Sequence, residues 1–174
     1  PVEADQGLPP APRPVRQRRA LRMWLARLCV QVAEATLFAY LFFWLTGLDG
    51  SVTDHHTARL FGAIMVLSAP LALLAGRWSD RRDRPIAPLR ACAGISALGL
   101  LAMALAPGLH AAMLAYGLFG VTSAVFLALH SAQTLRILPR TDRRGRDLGL
   151  FNLANTVPSL VMPWLAMVLV PLSG

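Results

Sequence analysis

Long apolar stretches separated by clusters of arginine restrict this chain to a bundle of helices in a lipid bilayer. About 20 apolar residues suffice to cross a hydrocarbon core of roughly 30 Å as a helix. Five such stretches occur, at about 22–46, 57–75, 86–106, 111–135 and 148–172. Composition agrees, since 55% of the 174 residues are hydrophobic, only 15% are charged and the mean hydropathy is +0.51, too apolar for an ordinary soluble domain. The expected fold class is all-α, a polytopic transmembrane bundle over 21–174 preceded by a basic, disordered cytoplasmic linker over 1–20. That linker has no apolar core segment and is not a signal peptide.

The net charge of +8 raises nucleic acid as a partner, but the placement of the charge excludes it. Arg13, Arg16, Arg18, Arg19 and Arg22 precede the first span. Arg77, Arg81, Arg82, Arg84 and Arg90 flank the second connection, and Arg136, Arg140, Arg143, Arg144 and Arg146 flank the fourth. The alternate connections hold almost none. The positive-inside rule then gives a cytoplasmic N-terminus and a multi-pass protein of the inner (plasma) membrane. Arg16 to Arg22 are expected to lie near anionic headgroups. Cys29 and Cys92 fall within spans and read as small buried hydrophobes rather than a disulfide pair.

The second basic connection carries the sequence Gly76-Arg77-Trp78-Ser79-Asp80-Arg81-Arg82-Asp83-Arg84-Pro85. It reads as a short polar turn between two apolar stretches. Gly76, Ser79, Asp80, Arg81 and Arg84 resemble the loop signature of the major facilitator superfamily, roughly Gly-x-Leu-Ala/Ser-Asp-Arg-x-Gly-Arg-Arg. Trp78 and Asp83 depart from that pattern. The Arg144-Gly145-Arg146-Asp147-Leu148-Gly149 segment is similar to the loop entering the eleventh span of bacterial members.

The resemblance implies twelve spans in two six-helix halves, each built from inverted three-helix repeats. This chain looks like the C-terminal half, with spans resembling seven to eleven, and its partner would be the missing N-terminal half. The resemblance also implies a conformational-switch role for the loop. Asp80 would engage a neighbouring helix end in the state closed to the cytoplasm, Gly76 would allow close helix approach, and Arg81 and Arg84 would join the charge network.

Glu34 is the one acidic residue inside an apolar stretch, about 13 residues into the first span and so near the bilayer midplane. A carboxylate there is costly and marks a substrate or ion pathway. Arg27, Gln31 and Glu34 recur at spacings of four and three, which aligns them on one helical stripe. Glu34 is suited to bind a cation or hydroxyl or to carry a proton; its bland alternative is an ion pair or hydrogen bond that locks the bundle. Asn152, Asn155 and Ser159 form a second polar stripe in the last span, able to bind hydroxyls or to bridge helices. Ser123, His130 and Gln133 form a third in the fourth span, with His130 a candidate proton relay. Asp54-His55-His56 is a weak metal pattern, because no further ligands converge on it.

The resemblance implies transport of a small-molecule substrate by alternating access in a symporter or antiporter, and Glu34 adds a proton as the coupling ion. No cofactor is implied, and no nucleophile setting, metal-ligand spacing or phosphate-binding glycine loop suggests an enzyme. The competing class is a truncated or regulatory membrane protein that scaffolds partners without transporting.

Overall fold

The computed structural model describes residues 13–82, 86–137 and 144–169. Five helices occupy them, namely α1 (Arg13–Leu48), α2 (Asp54–Arg81), α3 (Ala87–Ala104), α4 (Leu109–Ile137) and α5 (Arg144–Leu169). No strand occurs among the described residues. Four stretches, Leu21–Leu48 of α1, α2, α3 and Leu109–Thr134 of α4, are long and apolar enough to cross a membrane. The fifth expected span corresponds to α5, beyond which residues 170–174 lie outside the described part.

Two helix ends differ from expectation. Helix α1 begins at Arg13, eight residues before the expected first residue at Leu21. Pro14 suits a first helical turn, and arginine, glutamine and alanine are good helix formers, so the basic segment continues the helix rather than staying irregular. Residues 1–12 lie outside the description. Similarly, α2 runs on to Arg81, so Gly76 to Arg81 form its last turns instead of a polar turn. Arginine at a helix C-terminus complements the macrodipole, and the chain leaves the helix only at Arg82, with φ −102° and ψ 1°.

Helix α4 is the hub, lying against α3, α2 and α1, while α5 packs on α1. The core sits toward the end where α1 stops and α4 starts. Leu41 and Leu45 of α1, Ile64 of α2, Met103 of α3, and Ala112 and Phe119 of α4 are buried there together. A ladder of rings crosses it, from Phe38 to Phe61 at 5.6 Å between centroids, Phe61 to Tyr116 at 5.9 Å and Tyr116 to Phe119 at 6.3 Å. Large apolar side chains such as Met65, Leu73, Leu114 and Leu160 project outward, as helices bathed in hydrocarbon require.

Lipid tails are as apolar as leucine, so helices in a membrane are held by close contact and interhelical hydrogen bonds rather than by flight from water. Two glycines supply the close contact. A Cβ on Gly99 would come within 2.9 Å of the Phe119 backbone nitrogen, and one on Gly120 within 2.7 Å of Ile64 Cδ1. Gly117 has open space around it, so of the two span-four glycines only Gly120 is required by packing. Ser96 and Thr122 share a hydrogen bond of 2.8 Å across the α3–α4 joint.

The connection before α2 is ordered by local polar contacts. The Asp49 carboxylate accepts the Ser51 amide at 2.9 Å, which holds it below the usual carboxylate range. Thr53 donates its amide to His56 Nδ1 at 3.2 Å, closing the first turn of α2 in the manner of a capping box. His56 is thus a capping residue. Cys29 corrects a further expectation: it is exposed on the bundle surface, because the buried face of α1 is used by its polar stripe, and Cys92 is half-buried and free.

Candidate functional site

The stripe on α1 lies between α4 and α5, each of which packs on α1. Arg27 is half-buried there and makes contacts to both helices. Its Nε donates to Asn155 Oδ1 of α5 at 2.7 Å, and its Nη1 donates to Ser131 Oγ of α4 at 2.9 Å. The same Nη1 lies 3.5 Å from His130 Nδ1. One turn further along α1, Gln31 Nε2 donates to the same Asn155 Oδ1 at 3.0 Å. Asn155 Nδ2 reaches Asn152 Oδ1 at 3.4 Å, and Asn152 itself is exposed.

His130 is 1% exposed, and its geometry fixes its tautomer. Its Nε2 lies 2.9 Å from the Met23 carbonyl oxygen, which can only accept, so Nε2 carries the hydrogen. Nδ1 is then the acceptor that faces the Arg27 guanidinium. A proton added at Nδ1 would have to point at a cation. In this arrangement His130 braces Arg27 against the α1 backbone at Met23.

Glu34 completes the stripe seven residues beyond Arg27, about 10 Å further along the helix axis. The fully buried Ser123 hydroxyl of α4 donates to Glu34 Oε1 at 2.7 Å. No other side-chain hydrogen bond to the carboxylate occurs among the described residues, which leaves Oε2 able to take a proton or a donor from a solute. The carboxylate is only half-buried.

Six of the sequence-derived candidates therefore converge on one seam: Arg27, Gln31, Glu34, His130, Asn152 and Asn155. Gln133 is half-buried on α4 but makes none of these bonds, and Ser159 turns its hydroxyl to the Asn155 carbonyl of its own helix at 2.9 Å. Ser131 is a partner that sequence reading missed. Its position beside His130 was visible, but a serine in an apolar helix commonly bonds back to its own backbone, as Ser131 also does to the Leu127 carbonyl at 2.8 Å.

The arginine-rich end of α2 is a separate region. Arg82 lies over the Trp78 ring at 5.4 Å, a cation–π contact that gives the unusual tryptophan a role. Ser79 is 3% exposed, and its hydroxyl has no hydrogen-bond partner among the described residues. A Cβ at Gly76 would lie 4.0 Å from Leu129 Cδ2, an ordinary contact, so the close helix approach expected at Gly76 is not present in this conformation. Asp80 and Arg81 are exposed, and Arg84 lies outside the described residues.

Four membrane-length helices and a polar cluster inside the bundle describe a multi-pass membrane protein. Residues 9–174 match the family model of the Major Facilitator Superfamily, and the chain belongs to that superfamily. No curated protein and no solved structure shows a significant match.

Proposed function

We propose that this chain is the substrate- and proton-handling C-terminal portion of a secondary transporter that moves a small solute by alternating access. The observation that carries the reading is the Ser123–Glu34 hydrogen bond of 2.7 Å, which presents a carboxylate in a membrane-spanning helix with one oxygen unengaged. Glu34 takes up and releases the coupling proton. Gln31, Asn152 and Asn155 line the polar path beside it, and Arg27 sets the positions of Asn155 and Ser131.

The end of α2 acts as the conformational switch. Gly76, Asp80, Arg81 and Arg84 belong to the segment that would meet the N-terminal half when the cytoplasmic side closes, with the N-terminus cytoplasmic and the protein in the inner membrane. The exposure of Arg81 at the end of α2 supports this.

The test is uptake or efflux driven by an imposed pH gradient in vesicles, with a panel of sugars and organic cations. The wild-type transporter should accumulate at least one solute against its gradient. Glu34→Gln should insert normally and lose that accumulation. Unimpaired accumulation by well-inserted Glu34→Gln would remove Glu34 from the proton pathway.

A further inference from the structure

A second feature of α1 lies on the side away from the polar seam. We propose that the groove between α1 and α3 binds an anionic membrane phospholipid, with an acyl chain between the helices and the headgroup phosphate held by Arg22 and Arg90. Helices α1 and α3 both pack on α4 but not on each other. Between them runs an open cleft of about 270 Å³. Ala26, Cys29 and Ala33 form one wall, Ala93 and Ala97 the other, and Phe126 lies at the floor.

The lining is almost wholly apolar, which suits neither water nor a polar solute, because each needs several hydrogen-bonding partners. Its one buried hydroxyl, Ser96, is already bonded to Thr122. Ala26 to Ala33 spans about 10 Å along the helix axis, in the direction a lipid chain takes from headgroup to midplane. An occupant that is apolar, slender and parallel to the spans matches an acyl chain.

Charge at one mouth of the groove specifies the headgroup. Positions 22, 26, 29 and 33 recur at four, three and four, so Arg22 sits on the groove face of α1 one turn before Ala26. Arg90 sits three residues before Ala93 on α3, which runs in the same direction as α1. Both arginines are exposed, and neither side chain has a hydrogen-bond or ion-pair partner among the described residues. The first turn of α3 has no acidic residue to neutralise Arg90. Two exposed guanidinium groups at the headgroup end of an apolar groove fit a phosphate monoanion, which they bind through paired N–H donors.

The experiment uses the full chain purified in a neutral detergent and measures retained lipid by native mass spectrometry. Phosphatidylglycerol and phosphatidylethanolamine with the same acyl chains are the probes. Phosphatidylglycerol should be retained preferentially, and R22Q combined with R90Q should reduce its affinity by roughly thirtyfold, the product of two headgroup contacts of ordinary strength. In a Cys92→Ser background, Cys29 in the groove reports occupancy: alkylation should slow with phosphatidylglycerol and stay unchanged with inorganic phosphate. Equal retention of the two lipids by wild type and double variant would overturn the proposal. So would alkylation of Cys29 that ignores phosphatidylglycerol, since the chain would then not occupy the groove.

Discussion

Helix α4 meets its neighbours in two different ways. Toward α3 the joint is chiefly one of shape, with Gly99 set against the Phe119 backbone where a Cβ would approach to 2.9 Å and a single hydrogen bond, Ser96 to Thr122, beside it. Toward α1 the joint is one of hydrogen bonds, with Arg27 tied to Ser131 and Glu34 to Ser123, and α1 carries the same chemistry on to α5 through Arg27 and Asn155. A steric fit has one good arrangement. Hydrogen-bonding groups can exchange partners with water, a solute or a proton, so under the proposed function the polar cluster is the part suited to rearrange.

The largest effect expected from breaking this contrast is on the steric side. Gly99→Leu forces atoms against backbone that cannot turn away, and it should destabilise the bundle by about 3 kcal/mol, read as a fall in unfolding temperature in detergent. Arg27→Met should cost about 2 kcal/mol at most, since individual interhelical hydrogen bonds in membranes average roughly 0.6 kcal/mol. Its signature is local: hydrogen exchange should rise in α5 and remain unchanged in α3. An equal rise in both helices would show that the two joints are not independent.

Smaller changes sharpen the comparison. Gly120→Ala meets three atoms of the Ile64 side chain, Cδ1 at 2.7 Å, Cγ2 at 3.2 Å and Cγ1 at 3.3 Å, but no backbone, and should cost about 1 kcal/mol. Gly76→Ala meets Leu129 Cδ2 at 4.0 Å and should leave stability within about 0.5 kcal/mol. Because this conformation does not need Gly76, a transport defect in that variant with unchanged stability would locate its role in the opposite state of the cycle.

The sequence shows faces more readily than partners. Helical spacing placed Arg27, Gln31 and Glu34 on one stripe and Asn152 and Asn155 on another, and the two stripes do meet. Spacing along one helix says nothing about the neighbour opposite. Ser131 went unnoticed for that reason, and so did the contact of His130 with the Met23 carbonyl. Glycine content was equally ambiguous: Gly99 and Gly120 are needed by neighbours, whereas Gly117 is not, a distinction that exists only once the helices are packed. The end of α2 was misjudged because arginine marks both a polar connection and a well-capped helix C-terminus, and apolarity alone cannot locate where a helix stops beyond the hydrocarbon.

The central claim is that Glu34 couples solute movement to a proton, and solute exchange separates coupling from binding. The measurement is paired: solute counterflow without a pH gradient, and solute accumulation with one, for wild type and Glu34→Gln in the same vesicles. Retained counterflow with accumulation lost is the predicted result, because glutamine keeps the hydrogen bond from Ser123 but cannot release a proton. Accumulation equal to wild type would contradict the claim and leave Glu34 a hydrogen-bonded strut between α1 and α4.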